Sequence, residues 1–428
     1  MSVAYFWIFI LLLAAGAPVV FALLIGPGLS LMLDDQPQFY SALLTRLYNG
    51  IDSFPLMAVP FFILAGEVMN SGGVTAALVR FSQTMIGHLR GGLAQVNILS
   101  SLLFAGLSGS AVADASALGK MLIPAMEQNG YTKRFAAAVT AASAVIGPII
   151  PPSGIMILYA FVMNVSVAGL FAAGIIPGLM ITIGLMLTTS FIAKRRNYPV
   201  ANAKATWRER RSTLFETLPA LMTPVILLGG ILAGVFTPTE AAGVAAIYAL
   251  FVSVFVMKTL KLKDLPAIFI DAATQSGVIL LLVGAAVTFA WIVTVSGFAE
   301  SMAAQISGAT SNIYLLLLLL NLLLFVIGMF LDAGPAILIL GPVLAPIFTS
   351  LGVDPLHFAI VMCVNVTVGL ATPPMGLVLF VAASISGEKP DKIAIEMAPF
   401  LGVQFLVILL ITYIPALTLT LPKLLGFD

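Results

Sequence analysis

Apolar runs of about 20 residues, each enough to cross a bilayer core, succeed one another along the chain with only short polar turns between them. They predict membrane-spanning helices rather than a soluble core. Two runs, 93–126 and 313–351, are too long for one span. Each is interrupted near its middle, by Ser108-Gly109-Ser110 and by Leu331-Asp332-Ala333-Gly334-Pro335. That pattern predicts two re-entrant hairpins, each entering and leaving on one side. After each hairpin an apolar run is cut by Pro-Pro between glycines, at Gly147-Pro148-Ile149-Ile150-Pro151-Pro152-Ser153-Gly154 and at Gly369-Leu370-Ala371-Thr372-Pro373-Pro374-Met375-Gly376. Paired prolines remove backbone donors and clash with the preceding turn, so these runs predict broken helices. Irregular backbone at membrane depth is tolerated only in protein or along a cavity.

The two halves repeat. The displacement along the chain that carries Pro151 onto Pro373 also carries Gly106 onto Gly328, Pro124 onto Pro346 and Gly130 onto Gly352, and the glycines flanking the two breaks coincide as well. Basic residues favour the cytoplasm. The cluster Lys194, Arg195, Arg196, Lys204, Arg208, Arg210 and Arg211 sets that side, and counting spans from it also puts Lys133, Arg134, Lys258, Lys261, Lys263, Lys389 and Lys392 there. The turn at Gly130 then faces the cytoplasm and its equivalent at Gly352 faces outward, so the repeats are expected to be inverted. The spans 223–236 and 241–257 form a pair on this count, and 277–295 leads to the second hairpin. Residues 205–218, with Trp207 and three arginines, predict a helix lying on the cytoplasmic surface, with 258–270 as its counterpart; a solvated basic loop is the other reading. The stretch 3–33 is too long for a signal-peptide core and lacks a basic head, which predicts a retained helix.

Composition agrees: 61% hydrophobic, 9% charged and a mean hydropathy of +1.13 describe an all-α polytopic membrane protein. The net charge of +1 argues against nucleic acid as a partner. Cys363 is the single cysteine and excludes an internal disulfide. His88 and His357 are the only histidines, expected near the interfaces, and no transition-metal pattern is visible. Paired acids, nucleophile motifs and phosphate loops are missing around the breaks, which argues against an enzyme and against ATP as the energy source.

Inverted repeats with discontinuous helices are the architecture of secondary transporters, with the site near the midplane. A broken helix offers carbonyls to a cation on one side and N–H groups to an anion on the other. Ser108, Ser110, Gly147, Ile150 and Pro152 are the cation-site candidates of the first half; Gly328, Asp332, Gly369, Thr372 and Met375 are those of the second. Asp332 matches Ser110 in the repeat and is the one acid at a hairpin tip. A carboxylate at that depth marks an ion or substrate path, with capping of the turn as the alternative. Ser153, Asn164, Asn365 and Thr367 are candidates for polar substrate groups, or for helix–helix hydrogen bonds. Asp114 can order the first tip or pair with Lys120. Glu67 and Glu240 are read as span-end residues that snorkel or contact the scaffold.

The motifs Leu107-Ser108-Gly109-Ser110-Ala111-Val112-Ala113-Asp114, Phe236-Thr237-Pro238-Thr239-Glu240-Ala241 and the two Pro-Pro breaks resemble those of the large membrane subunit of tripartite ATP-independent periplasmic (TRAP) transporters, over essentially the whole chain. The resemblance implies a sodium-coupled importer of organic acids in the bacterial inner membrane, needing no cofactor beyond the coupling ion. Its implied partners are a four-helix small membrane subunit, expected as a separate chain, and a periplasmic substrate-binding protein. It implies an elevator, in which hairpins and broken helices move as one body against a scaffold. On this resemblance the chain divides into a scaffold helix and outer loop (1–50), scaffold and connecting helices (51–92), a first mobile part (93–193), scaffold helices with the basic loop (194–276), connecting helices (277–312) and a second mobile part (313–428). Gly147, Ile150 and Pro152 would give carbonyls to one sodium, and Gly369, Thr372 and Met375 to the other. Ser110, Ser153 and Asp332 would face the substrate.

Two sodium sites also suit the energetics. One sodium with a monoanion moves no net charge, whereas a second recovers about 2.3 kcal/mol per 100 mV. Sialic acid and a C4-dicarboxylate are both common substrates in the resembled family; Asp332 and the hydroxyls lean the reading toward a polyhydroxylated acid such as sialic acid. A carrier of the same architecture working without a binding protein is the alternative.

Overall fold

The computed structural model describes residues 4–200, 204–309 and 312–427. All regular structure among the described residues is helical. The first half contains α1 (Ala4–Ala14), α2 (Val19–Leu33), α3 (Tyr40–Ile51), α4 (Ala58–Ser71), α5 (Val74–Ile86), α6 (Gly92–Ser108), α7 (Ala111–Gln128), α8 (Lys133–Ala144), α9 (Gly154–Met163) and α10 (Val167–Arg195). The second contains α11 (Trp207–Leu232), α12 (Pro238–Phe251), α13 (Leu265–Val295), α14 (Phe298–Ala309), α15 (Ile313–Phe330), α16 (Ala333–Ser350), α17 (Pro355–Gly369), α18 (Leu377–Ser386), α19 (Pro390–Tyr413) and α20 (Ala416–Leu424). Among the described residues eight helical segments are long and apolar enough to cross a membrane. The protein is a multi-pass membrane protein.

The repeat survives as structure. Helices α7 and α16 begin and end at equivalent positions, Ala111 with Ala333 and Gln128 with Ser350. Their N-caps correspond, Ser110 accepting from the Ala113 amide and Asp332 from the Ala333 amide. So do the caps of α8 and α17, Thr132 and Asp354. Short polar side chains that satisfy the free amides of a first turn are the local reason helices begin at these positions. Gly130 and Gly352 both take positive φ, and both Pro-Pro bonds are cis. The two interrupted runs fold as helix pairs, α6–α7 and α15–α16. The two Pro-Pro runs break into α8–α9 and α17–α18, as their residue patterns predict.

Buried polar pairs fix each hairpin to its broken helix. Asn97 on α6 donates to Thr140 on α8 at 2.7 Å and accepts from Ser143 at 3.2 Å. In the second half Asn365 on α17 donates to Asn321 on α15 at 2.8 Å. Ser143 and Asn365 are themselves equivalent positions of the repeat, so both halves use one device. The halves are joined by Gln404 donating to the Ala142 carbonyl and by the ion pairs Arg134–Glu388 and Arg196–Glu396.

Three expectations need correction. The stretch 3–33 is not one helix: Gly16, with φ +82°, and Pro18 turn the chain, and α1 packs back on α2, with Gly26 against the Tyr5 carbonyl. No separate surface helix exists at 205–218. A capping box of Thr206 and Glu209 starts α11 at Trp207, and the helix runs on through Pro219 and Pro224 into the apolar span. Residues 258–270 divide between a 3₁₀ turn, Leu262–Asp264, and the start of α13, which absorbs the expected span 277–295. The short helices that do precede each hairpin are α5 and α14. His357, in the first turn of α17, is buried and bonded to the Thr418 hydroxyl and the Thr412 carbonyl.

Candidate functional site

Both hairpin tips and the first break converge on one cavity of about 280 Å³, whose lining also includes Leu370 at the head of the second break. The first tip contributes Ser108, Gly109 and Ser110, and the second Asp332, Ala333, Gly334 and Pro335. The breaks contribute Pro148, Pro152, Gly154 and Leu370. The facing wall is α4, through Val59, Phe62, Ile63, Gly66, Glu67 and Asn70, and α13, through Gln275, Ile279 and Leu282. Helices α7, α9 and α16 all start at this cavity, so their partly positive N-termini surround it.

The first tip lies directly on the first break. Gly109 has φ +59°, and a Cβ there would stand 3.2 Å from the Gly154 nitrogen and 3.4 Å from the Pro152 carbonyl oxygen. Only glycine combines that backbone with that approach. Beneath the tip Asp114 is fully buried. Its Oδ1 accepts from the Ser108 hydroxyl. Its Oδ2 has no hydrogen-bond partner and points at Gly147, where a Cβ would overlap it. Asp114 therefore bridges tip and break and does not pair with Lys120, which is exposed on the same helix. None of the backbone bonds that close the first break ends on the Gly147, Ile150 or Pro152 carbonyls.

The second half repeats the contact with different atoms. Gly328 on α15 meets Gly369 backbone to backbone: a Cβ on Gly369 would lie 2.6 Å from the Gly328 Cα. The Leu370 and Thr372 carbonyl oxygens turn toward Gly376, at 2.5 and 2.7 Å from its would-be Cβ. Thr372 donates its hydroxyl to the Val368 carbonyl. Met375 is 53% exposed and outside the cavity lining. No acid of the second half corresponds to Asp114, because the equivalent residue is Ala336.

Of the substrate candidates, Ser110 and Asp332 line the cavity. Asp332 caps α16 and also forms part of the cavity wall. Ser153 is buried just behind the wall, capping α9 and donating to the Pro148 carbonyl at 2.6 Å. Asn164 ends α9 at the far end from the break, with φ 53°. Asn365 is enclosed in its helix–helix hydrogen bond, and Thr367 donates back to the Cys363 carbonyl. Sequence reasoning missed the scaffold wall. Glu67 does stand in the last turn of α4, near the span end, and makes a scaffold contact, its Oε1 accepting from Gln275 on α13 at 2.8 Å; what sequence reasoning did not show is that it also lines the cavity. Glu240 does cap, completing a box with Thr237 at the start of α12. The only sequence signal for Glu67 was an acid within an apolar helix.

A family model described as the tripartite ATP-independent periplasmic transporter, DctM component, matches residues 6–417. The chain is 40% identical over 413 residues to the sialic acid TRAP transporter large permease protein SiaM of Vibrio cholerae, covering 96% of each. It is 38% identical over 395 residues to the C4-dicarboxylate TRAP transporter large permease protein DctM of Rhodobacter capsulatus, covering 89% of this chain and 90% of that one. Its fold is similar to that of the YdaH transporter of Alcanivorax borkumensis, with a TM-score of 0.63 at 18% identity over 88% of each chain.

Proposed function

The chain belongs to the DctM family of TRAP transporter large permeases, and from that premise we propose that it is the permease of a sodium-driven importer of organic acids. Its expected partners are a small four-helix membrane subunit and a periplasmic binding protein that delivers the acid, and its expected home is the bacterial inner membrane. The observation that carries sodium coupling is the Asp114 carboxylate, buried with one oxygen unpartnered beside Gly147. A buried carboxylate left without a counter-charge costs several kcal/mol. A hard cation with oxygen ligands removes that cost, and Ser108, Asp114 and the carbonyls of Gly147, Ile150 and Pro152 form a fitting donor set. The second site draws on Gly328, Asp332, Gly369, Thr372 and Met375, with a hydroxyl and carbonyls in place of the buried acid.

The substrate binds between the tips at Ser110 and Asp332, with Ser153 behind them. Three helix N-termini and the bound cations supply the positive potential, since among the described residues no Lys, Arg or His lines the cavity. The cavity lies between the hairpin-and-break helices and the α4–α13 wall, which is the arrangement an inverted-repeat elevator needs. Relatives named for sialic acid and for C4-dicarboxylates are almost equally similar; the hydroxyl-bearing lining favours sialic acid. The test is uptake of labelled acids by proteoliposomes containing the large and small subunits with the binding protein. Accumulation should need inward gradients of both sodium and positive charge. Uptake unaffected by replacing sodium with choline would overturn the reading.

A further inference from the structure

The scaffold wall carries charge that the ion sites do not use. Glu67 on α4 and Gln275 on α13 bridge the wall by their 2.8 Å hydrogen bond, and both line the cavity that Asp332 also lines. The approach is close: a Cβ on Gly66 would lie 3.1 Å from the Leu107 carbonyl oxygen of the first tip. The mouth of the cavity is marked by Asn70 and Gln275, both exposed. It has a sidedness. The Thr259 hydroxyl donates to the Gly72 carbonyl at the end of α4, which places this end of the wall beside Lys258, Lys261 and Lys263. By the basic-residue rule that end is cytoplasmic.

We propose that Glu67 is a release-side residue: a carboxylate fixed on the scaffold that repels the organic anion only when the site faces the cytoplasm. The proposal rests on the importer reading above. The geometry gives the asymmetry. Ser110 and Asp332 belong to the hairpins and travel with the substrate, whereas Glu67 belongs to the wall and stays. Beside this wall the anion meets a second carboxylate, with no Lys, Arg or His in the lining among the described residues to offset it. After the hairpins have moved away the anion no longer meets it. The same site therefore holds the anion more weakly on the cytoplasmic side, which favours delivery over return. Gln275 positions the carboxylate through that hydrogen bond. Gly66 lets α4 pass close enough to the tip for the charge to be felt.

The test uses the whole complex reconstituted with the binding protein, comparing wild type, Glu67→Gln and Glu67→Asp. Half-saturation is measured from each face separately: uptake from the binding-protein side, and counterflow from the cytoplasmic side in inside-out vesicles. Labelled sialic acid is the probe, or labelled succinate if that is the acid the wild type accumulates. Glu67→Gln should bind about threefold to tenfold tighter from the cytoplasmic face, as expected for one charge removed from a wetted cavity. The outer face and the sodium half-saturation should stay unchanged, and net turnover should fall as release slows. Glu67→Asp keeps the charge and should keep the wild-type asymmetry, so loss of asymmetry in both variants would assign the residue a packing role and overturn the proposal. Equal tightening on both faces, or none on either, would also overturn it. If Glu67→Gln does not assemble, Gln275→Ala must alter the cytoplasmic half-saturation alone, and an unchanged value there overturns the proposal. A wild type that accumulates neither acid with sodium would instead defeat the importer reading.

Discussion

Replacing Asp114 by Asn tests the ion site without touching the substrate. The amide is isosteric and its oxygen can still accept from Ser108, so packing at the tip is retained. What changes is the buried charge whose second oxygen lacks a partner. In sodium-free buffer the wild type carries that uncompensated carboxylate, a burden of several kcal/mol, whereas an unsatisfied amide costs about 1–3 kcal/mol. The variant should therefore melt no lower than wild type without sodium. Adding sodium reverses the order. With a half-saturation of about 10 mM, 100 mM sodium stabilises a binding protein by roughly 1.4 kcal/mol, a rise of about 1.5 °C in apparent midpoint for a chain of 428 residues. The variant should lose most of that rise, and sodium-driven uptake with it. The assay is a thermal scan of the purified two-subunit complex at constant ionic strength, exchanging sodium for choline. Equal sodium shifts in both proteins, or a variant clearly less stable than wild type in choline, would refute the assignment.

Asp332→Ala should abolish uptake while the membrane complex still assembles, because the alanine loses a cavity carboxylate and only one cap, worth about 1 kcal/mol; transport with copurification of the small subunit measures both. Gly369→Ala pushes a methyl into the Gly328 backbone, where a Cβ has 2.6 Å, and such overpacking costs about 1–3 kcal/mol. It should lower the melting midpoint by about 1–3 °C and raise the sodium half-saturation. Glu396→Gln removes one partner of a partly exposed ion pair with Arg196 and should change stability by less than about 1 kcal/mol, within a degree or two by the same scan. Asn164→Gly keeps the positive φ at a position outside the cavity, and uptake kinetics should match wild type.

The membrane class, the paired helices and the broken helices were all legible in the chain, because each depends on local chemistry. Twenty apolar residues span a bilayer wherever they occur, and Pro-Pro between glycines ends a helix whatever surrounds it. The repeat was legible for the same reason, as one spacing shared by many local signals. Helix continuity was harder. Residues 205–218 have the amphipathic pattern of a surface helix ending at Pro219, yet after a good cap the helix runs on through Pro219 and Pro224, which makes them the first turns of α11. Gly16 and Pro18, by contrast, turn an apolar stretch that hydropathy alone joins into one helix.

Ser108, Ser110 and Asp332 could be picked out because tips of interrupted helices are conspicuous in sequence. Asp114 and Glu67 could not be assigned. Each is a single acid in an apolar helix, and whether it snorkels, pairs or faces a cavity depends on residues far away: Gly147 for one, Gln275 on α13 for the other. Spacing fixes which residues share a helix face, but only the packing of one helix against another decides what that face meets, and a buried charge takes its role from what it meets.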